Sequence, residues 1–171
     1  MHPLLRDMNL DFFEPPEFRN ILSRLKLPLL STLILESYEV LGFGSMNSRA
    51  DLPSLVSLTI EYYASYGEER PIREMEYLLA AMPLLRSLKI INVDSWHLIA
   101  AAMNSDPLPV PRLEDVVVED SSSLGPLVSI FGHRSSMQCP VHRLTLRHCE
   151  ATTSELKSAF EGFVGRVRWE P

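Results

Sequence analysis

Two cysteines and two histidines near the end of the sequence are of the residue types that bind zinc. They are Cys139, His142, His148 and Cys149. Structural zinc sites normally draw on closely spaced pairs such as CxxC, and neither cysteine belongs to such a pair. The repeat pattern described below also assigns Cys149 to a core position. We therefore expect no metal site, and we expect a buried free thiol to pack as a small hydrophobic residue.

Four arginines form a second group with possible chemistry. Arg143, Arg147, Arg166 and Arg168 lie close to His142 and His148. Guanidinium groups bind phosphate and carboxylate, so these residues either contact a phosphate or acidic partner or pair with nearby acids. The chain carries a net charge of -6 with a pI near 5.4. Because DNA-binding domains usually show a basic footprint, nucleic acid is not the expected ligand.

Catalytic phrases such as GxSxG and HExxH do not occur in the chain. Gly42-Phe-Gly44 lacks the lysine and the spacing of a phosphate-binding loop. We expect neither an enzyme nor a bound cofactor. A catalytic site on the loops is the alternative, and a deep pocket with convergent titratable groups would support it.

A short phrase of the form apolar–Pro–x–Leu–x–x–Leu–x–Ile returns along the whole chain. Its clearest copy is Leu52-Pro-Ser-Leu-Val-Ser-Leu-Thr-Ile60. With the first Leu of Leu-x-x-Leu-x-Leu as the anchor, the copies are anchored at Leu5, Leu30, Leu55, Leu85, Leu113, Val141 and, in a degenerate form, Val164. The intervals are 25, 25, 30, 28, 28 and 23 residues. Recurrence at this spacing is typical of a solenoid.

Each copy predicts a strand. The last positions alternate, as in Leu58-Thr-Ile60, and β-branched residues there favour strands. Alternation sends the anchors inward and the intervening residues to the opposite face. The proline before the anchor fixes φ and removes a backbone donor, which marks the start of the strand.

Helical patterns lie between the copies. They begin near Pro16, Pro71, Asp94 and Ser123. The capping box Thr152-Thr-Ser-Glu155 predicts the start of another helix. Residues 41–51 are rich in turn formers and predict no full helix.

Alternating strands and helices predict an α/β fold with parallel strands joined by crossovers. We expect a single domain over residues 1–171, a solenoid of about six to seven irregular repeats. Its short curved parallel sheet would line the concave side, with helices and turns on the convex side. The chain has no leader peptide and no apolar run of about 20 residues, so we expect an intracellular protein, cytoplasmic or nuclear.

The repeats resemble leucine-rich repeats of the irregular, ribonuclease-inhibitor or cysteine-containing kind. Leu144-Thr-Leu146-Arg-His-Cys149 is similar to the cysteine-containing subtype. The phrase with variable spacing also resembles the repeat region of fungal F-box proteins. In that family an N-terminal F-box docks the ubiquitin-ligase adaptor and the repeats hold the substrate. The resemblance implies a substrate-recognition role, although no F-box-like segment precedes Leu5.

The outward strand positions form the predicted binding face. We expect these to contact a partner protein: Asp11, Thr32, Ile34, Glu36, Thr59, Glu61, Lys89, Ile91, Glu119, Arg143 and Arg147. Glu36 and Glu61 should lie on neighbouring strands about 4.8 Å apart at their backbones. Their repulsion is of order 1 kcal/mol in water. We therefore hypothesise that a basic segment docks across Asp11, Glu36 and Glu61, the alternative being a solvated face.

The expected function is that of a non-enzymatic protein–protein interaction module. The alternatives are a truncated or stand-alone repeat fragment with a scaffolding role, an enzyme, or a nucleic-acid binder that uses the last arginines. Leu5, Met8 and Leu10 form a copy with none before it in this sequence. We therefore also expect an exposed apolar end that favours self-association.

Overall fold

A computed structural model of the protein describes residues 5–12, 28–37, 52–62, 79–92, 103, 108–149 and 153–171. The strands in this part of the chain are β1 (Asp7–Phe12), β2 (Thr32–Ser37), β3 (Ser57–Tyr62), β4 (Ser87–Ile91), β5 (Asp115–Glu119), β6 (Arg143–Arg147) and β7 (Arg166–Glu170). The helices are α1 (Gly125–Ser136), between β5 and β6, and α2 (Ser154–Phe163), between β6 and β7.

The seven described strands form one open sheet in which every neighbouring pair is parallel. Their order in the sheet is their order in the sequence, β1 to β7. Each strand therefore pairs only with the strands of the preceding and following copies of the phrase. The predicted α/β class with parallel strands is confirmed, and the register places equivalent residues of successive copies side by side, as in Leu33 beside Leu58.

Inward-pointing aliphatic side chains form the core. The anchors Leu30, Leu55, Leu85, Leu113 and Val141 are at most 1% exposed. Two further rows follow along the strands, one beginning at Leu33 and the other at Leu35, and both are buried. Each fully buried aliphatic side chain contributes roughly 1.5–3 kcal/mol, so the three rows are the main source of cohesion between copies.

A tight turn leads into several of the strands, and it explains the recurring proline. The amide of Leu55 donates to the carbonyl of Leu52, that of Leu85 to Met82, and that of Leu113 to Val110, at 3.1–3.2 Å. The proline thus occupies the second position of a four-residue turn, where its fixed φ suits the turn and its missing donor is not needed.

Both described helices begin elsewhere than their sequence patterns suggest. In α2 the residue before the helix is Thr153, whose Oγ1 accepts from the amide of Leu156 at 3.3 Å. The cap predicted at Thr152 was therefore wrong by one residue. Helix α1 begins with Pro126 in its first turn and without a side-chain cap, since the preceding residue is Leu124.

The remaining predicted helices lie largely outside the described residues. These are the ones beginning near Pro16, Pro71 and Asp94, and the turn-rich segment 41–51 lies outside as well. Of the second, Leu79 and Ala80 are described as helical, and of the third, Met103. None of the helices in the described part of the chain has the length and apolar character needed to cross a membrane.

The first copy is more exposed than the others. Leu5 is 36% exposed, whereas Met8 and Leu10 are half-buried and pack against the core. Val164, the anchor of the degenerate last copy, is 5% exposed. Self-association through the first copy stays a prediction.

Arg134, in α1, is buried among backbone carbonyls. Its Nη1 donates to the carbonyl of Val110 at 3.2 Å, and its Nη2 donates to those of Pro111 and Leu113 at 3.4 Å. The side chain is 0% exposed. Burial lowers the pKa of Arg134, although an arginine stays protonated in a protein. This residue ties α1 to the turn that precedes β5.

Three aromatic side chains, from α1, α2 and β7, pack together at the C-terminal end of the core. Phe160 of α2 is 0% exposed and meets Phe131 edge-on, with 5.9 Å between ring centroids. Its other neighbour is Trp169 of β7, whose ring centroid is 6.1 Å away. The two helices are thereby joined to each other and to the last strand.

Candidate protein-interaction face

The outward positions of the strands form three rows across the sheet. The first row contains Asp7, Thr32, Ser57, Ser87, Asp115, Arg143 and Arg166. The middle row contains Asn9, Ile34, Thr59, Lys89, Val117, Thr145 and Arg168. The last row contains Asp11, Glu36, Glu61, Ile91, Glu119, Arg147 and Glu170. All the sequence-predicted binding residues therefore lie on one face, at the expected positions.

The acidic strip, defined as Asp11, Glu36 and Glu61, occupies the last row on β1, β2 and β3. Register places Asp11 beside Glu36 and Glu36 beside Glu61. Strand spacing of about 4.8 Å brings the carboxylates of Glu36 and Glu61 close enough to repel. Nδ2 of Asn9, in the middle row, donates to Oε1 of Glu36 at 3.1 Å. Register thus places the three positions side by side, and docking of a basic segment across them stays a prediction.

Asp115 and Arg143, in the first row, form a two-point ion pair. Nε and Nη2 of Arg143 donate to Oδ1 and Oδ2 of Asp115, each at 2.7 Å. The hydrogen bond from Arg143 lowers the pKa of Asp115, partly opposed by burial of the carboxylate. The same bond raises the pKa of Arg143. Paired in this way, the guanidinium is held in a fixed orientation.

A longer chain of ion pairs runs through the middle and last rows from β4 to β7. Nζ of Lys89 lies 2.8 Å from Oε2 of Glu119, and Nη1 of Arg147 lies 3.9 Å from the same oxygen. Nε of Arg147 and Nε of Arg168 donate to the two oxygens of Glu170 at 2.6 and 2.7 Å. The hydrogen bond from Lys89 is the main cause that lowers the pKa of Glu119.

The sequence left two roles open for the arginine group, contact with a phosphate or acidic partner and pairing with nearby acids. Arg143, Arg147 and Arg168 pair with acids on the same face. Arg166 makes no ion pair with any residue that the structure describes. Three of the four guanidinium groups on this face are therefore held by internal acids, and within the described ranges Arg166 has no such partner.

The residue after β4, β5 and β6 has a left-handed backbone, a feature missed at the sequence level. Asn92, Asp120 and His148 have φ of 56°, 54° and 48°. Their amides donate to the last carbonyl of the next strand, at 2.9 to 3.1 Å. Asn, Asp and His tolerate this conformation better than most residues. Their recurrence two residues after the last inward aliphatic of each strand was the available signal.

The potential metal ligands that come together in the described part of the chain include His148 but neither Cys139 nor Cys149. Among the described residues, the potential ligands that come together are Glu119, Asp120 and His148, whose ligand atoms lie within 4.8 Å of one another. Nδ1 of His148 is 3.6 Å from Oδ1 of Asp120. Because Lys89 and Arg147 already neutralise Glu119, this group offers little charge to a cation.

Cys149 is half-buried and lies two residues after the end of β6. Its thiol donates to the carbonyls of Arg147 at 3.2 Å and Val118 at 3.7 Å. Burial is the main cause that raises the pKa of Cys149. The thiol therefore stays protonated at neutral pH and packs against the core, where it connects β6 to β5.

Comparisons with protein-family models, with curated protein sequences and with solved structures found no match to this chain. Function is therefore inferred from the geometry and charge of the exposed sheet face, whose three rows combine acids, ion pairs and half-exposed aliphatics.

Proposed function

We propose that this chain is a leucine-rich-repeat solenoid that acts as a non-enzymatic protein–protein interaction module. Its neighbour-only strand pairing supports the solenoid, since each repeat then buries its apolar residues against the adjacent ones. The exposed sheet face is the binding surface, and the acidic strip receives a basic segment of the partner.

The observation that carries the proposal is the alignment of the acidic strip. Asp11, Glu36 and Glu61 fall at one register position on three neighbouring strands. The nine outward positions of β1–β3 include no lysine or arginine. A lysine or arginine from outside would lie within a few ångströms of two carboxylates at once, which favours binding and gives it a defined position.

Binding of a basic peptide to the full chain tests this proposal. The probe is a fluorescein-labelled peptide with alternating Lys and Ser, measured by anisotropy against a peptide in which Gln replaces Lys. Exposed charge pairs contribute roughly 0.2–1 kcal/mol each, so E36Q/E61Q should weaken binding about five- to tenfold.

The matched control is E155Q/E161Q, which removes two exposed carboxylates from α2 and leaves the face intact. It should bind the Lys peptide as the unmodified chain does. Equal losses in the two double variants, or no loss in either, would show that the strip is a solvated surface and not a docking site.

A further inference from the structure

A shallow groove crosses the exposed face over β5, β6 and β7. Its volume is about 280 Å³. Its polar lining consists of Ser87 at the start of β4, Asp115 of β5, Arg143 and Thr145 of β6, and Arg166 and Arg168 of β7. The groove follows the first and middle rows and is separate from the acidic strip, which lies in the last row on β1–β3.

The charge in the groove is opposite to that of the chain as a whole. The lining residues include three arginines and one aspartate, a sum of +2 for the lining itself in a protein of net charge -6, and Glu170 pairs with Arg168 from outside the lining. The side chains of Arg143 and Arg168 are 67% and 69% exposed even though each is ion-paired. Both guanidinium groups are therefore accessible to a ligand.

Internal acids orient two of these arginines and leave donors for a ligand. Arg143 uses Nε and Nη2 on Asp115, and Arg168 uses Nε on Glu170, so part of each guanidinium stays available. Arg166 makes no side-chain hydrogen bond or ion pair with the residues that the structure describes. Because Arg143 and Arg168 are already held in place, less side-chain entropy is lost when a carboxylate binds to them.

The dimensions of the groove suit a short extended peptide. Three strands at about 4.8 Å spacing span about 10 Å, which corresponds to about three residues of extended chain. Alternate side chains of such a peptide point the same way and lie about 7 Å apart, so two of them reach the groove together. Thr145 and Ser87 provide hydroxyl groups for its backbone.

We propose that this groove binds a short acidic segment of a partner protein, with carboxylates at alternate positions paired to Arg166, Arg168 and Arg143. The inference goes beyond the proposed function, because it uses other strands and a ligand of the opposite charge. A long polyanion fits less well, because beyond the groove it would run over β1–β3, whose outward positions carry four acids and no lysine or arginine.

Anisotropy with a labelled peptide tests the groove on the full chain at low ionic strength. The probe has Asp at alternate positions, and its control has Asn there. Removing one exposed charge partner should weaken binding about threefold in R166S, and R166S/R168S should lose about tenfold. The matched control R112S, an exposed arginine in the turn before β5, should bind as the unmodified chain does.

Misfolding could also cause loss of peptide binding, so a variant that is expected to bind more tightly provides a second test. D115N removes the repelling carboxylate and releases two donors of Arg143, a gain that should exceed the lost orientation of this arginine, so the Asp peptide should bind about threefold more tightly. The proposal is overturned if the Asn peptide binds equally well, if R166S and R112S lose affinity alike, or if D115N fails to tighten binding. An oligonucleotide that displaces the Asp peptide at lower concentration would also overturn it. Loss of Lys-peptide binding alone would count only against the acidic strip.

Discussion

The exposed face has two dissimilar ends. On the acidic half, β1–β3, the three rows include Asp7, Asp11, Glu36 and Glu61 and no lysine or arginine. On the ion-paired half, β5–β7, four arginines alternate with three acids, and salt bridges connect the strands. Beneath both halves the inward residues of the inner strands are buried aliphatics, whereas those of the outermost strands are half-buried, namely Met8 and Leu10 on β1 and Val167 and Trp169 on β7.

The difference shows which residues carry the fold and which can vary. Inward rows repeat because each strand must match its neighbours in the core. Outward residues face solvent and change from acidic to paired within one sheet without disturbing the register. Stability is therefore expected to follow the inward residues on both halves, and binding to follow the outward ones.

The largest expected effect tests whether the two halves share one core. Phe160→Ala removes a fully buried ring that contacts Phe131 and Trp169, and should lower the free energy of unfolding by about 3–5 kcal/mol. Leu35→Ala, in the acidic half, should lower it by about 2–5 kcal/mol. Urea unfolding would be followed by circular dichroism and by tryptophan fluorescence.

Coincident transitions are expected in both variants, because one continuous set of inward apolar rows runs through the described strands. If Phe160→Ala separated the fluorescence midpoint from the circular-dichroism midpoint, the two halves would unfold independently. The acidic half and the ion-paired half would then be two separate cooperative units.

Arg134 provides the second test, because the described part of the acidic half contains no buried arginine. Arg134→Met keeps the volume of the side chain and removes the donors to the carbonyls of Val110, Pro111 and Leu113. The carbonyls of Pro111 and Leu113 would lose this donor and that of Val110 would keep only its turn bond from Leu113, which should lower the free energy of unfolding by about 2–3 kcal/mol. Arg112→Met, on the surface nearby, should change it by less than about 0.5 kcal/mol. Similar midpoints for the two variants in urea would show that water replaces Arg134 at no loss.

Strands and register could be predicted because two local signals coincide at each copy. The inward pair Leu58 and Ile60 has the period of a strand, and the Leu52–Leu55 turn fixes where that strand begins. Any shift by one residue would expose the aliphatic row. The outward rows then followed from the same alternation.

The contacts of particular side chains could not be predicted from the alternation and spacing of the sequence. Arg134 looks like a surface residue near the end of a helix, and only the tertiary fold shows that carbonyls 21–25 residues away surround it. Arg143 and Asp115 are 28 residues apart, and their pairing depends on rotamers that register alone does not determine. The cap at Thr153 competed with an equally suitable Thr152.

Lowering the pH should reduce the stabilisation that the ion pairs of β4–β7 contribute. The pKa values of Asp115 and Glu119 are lowered, by hydrogen bonds from Arg143 and Lys89 respectively. Because the unfolded chain then binds protons first, their stabilisation is complete above the unfolded pKa of about 4 and is lost as the pH falls through the lower folded values. The free energy of unfolding, measured in urea from pH 6 to pH 3, should fall less steeply in E119Q than in the unmodified chain. Parallel curves would contradict this assignment.

The smallest expected effect has opposite signs in the two halves. E119Q removes a carboxylate between two cations and should lower the free energy of unfolding by about 0.5 kcal/mol at neutral pH. E36Q removes a carboxylate between Asp11 and Glu61 while keeping an oxygen that accepts from Asn9, so it should raise this free energy by about 0.2–0.5 kcal/mol. Both differences should shrink in high salt, because screening weakens attraction and repulsion alike. If E36Q instead lowered stability as much as E119Q does, Glu36 would already be held by a cation of this chain and would not be available to a basic segment of a partner.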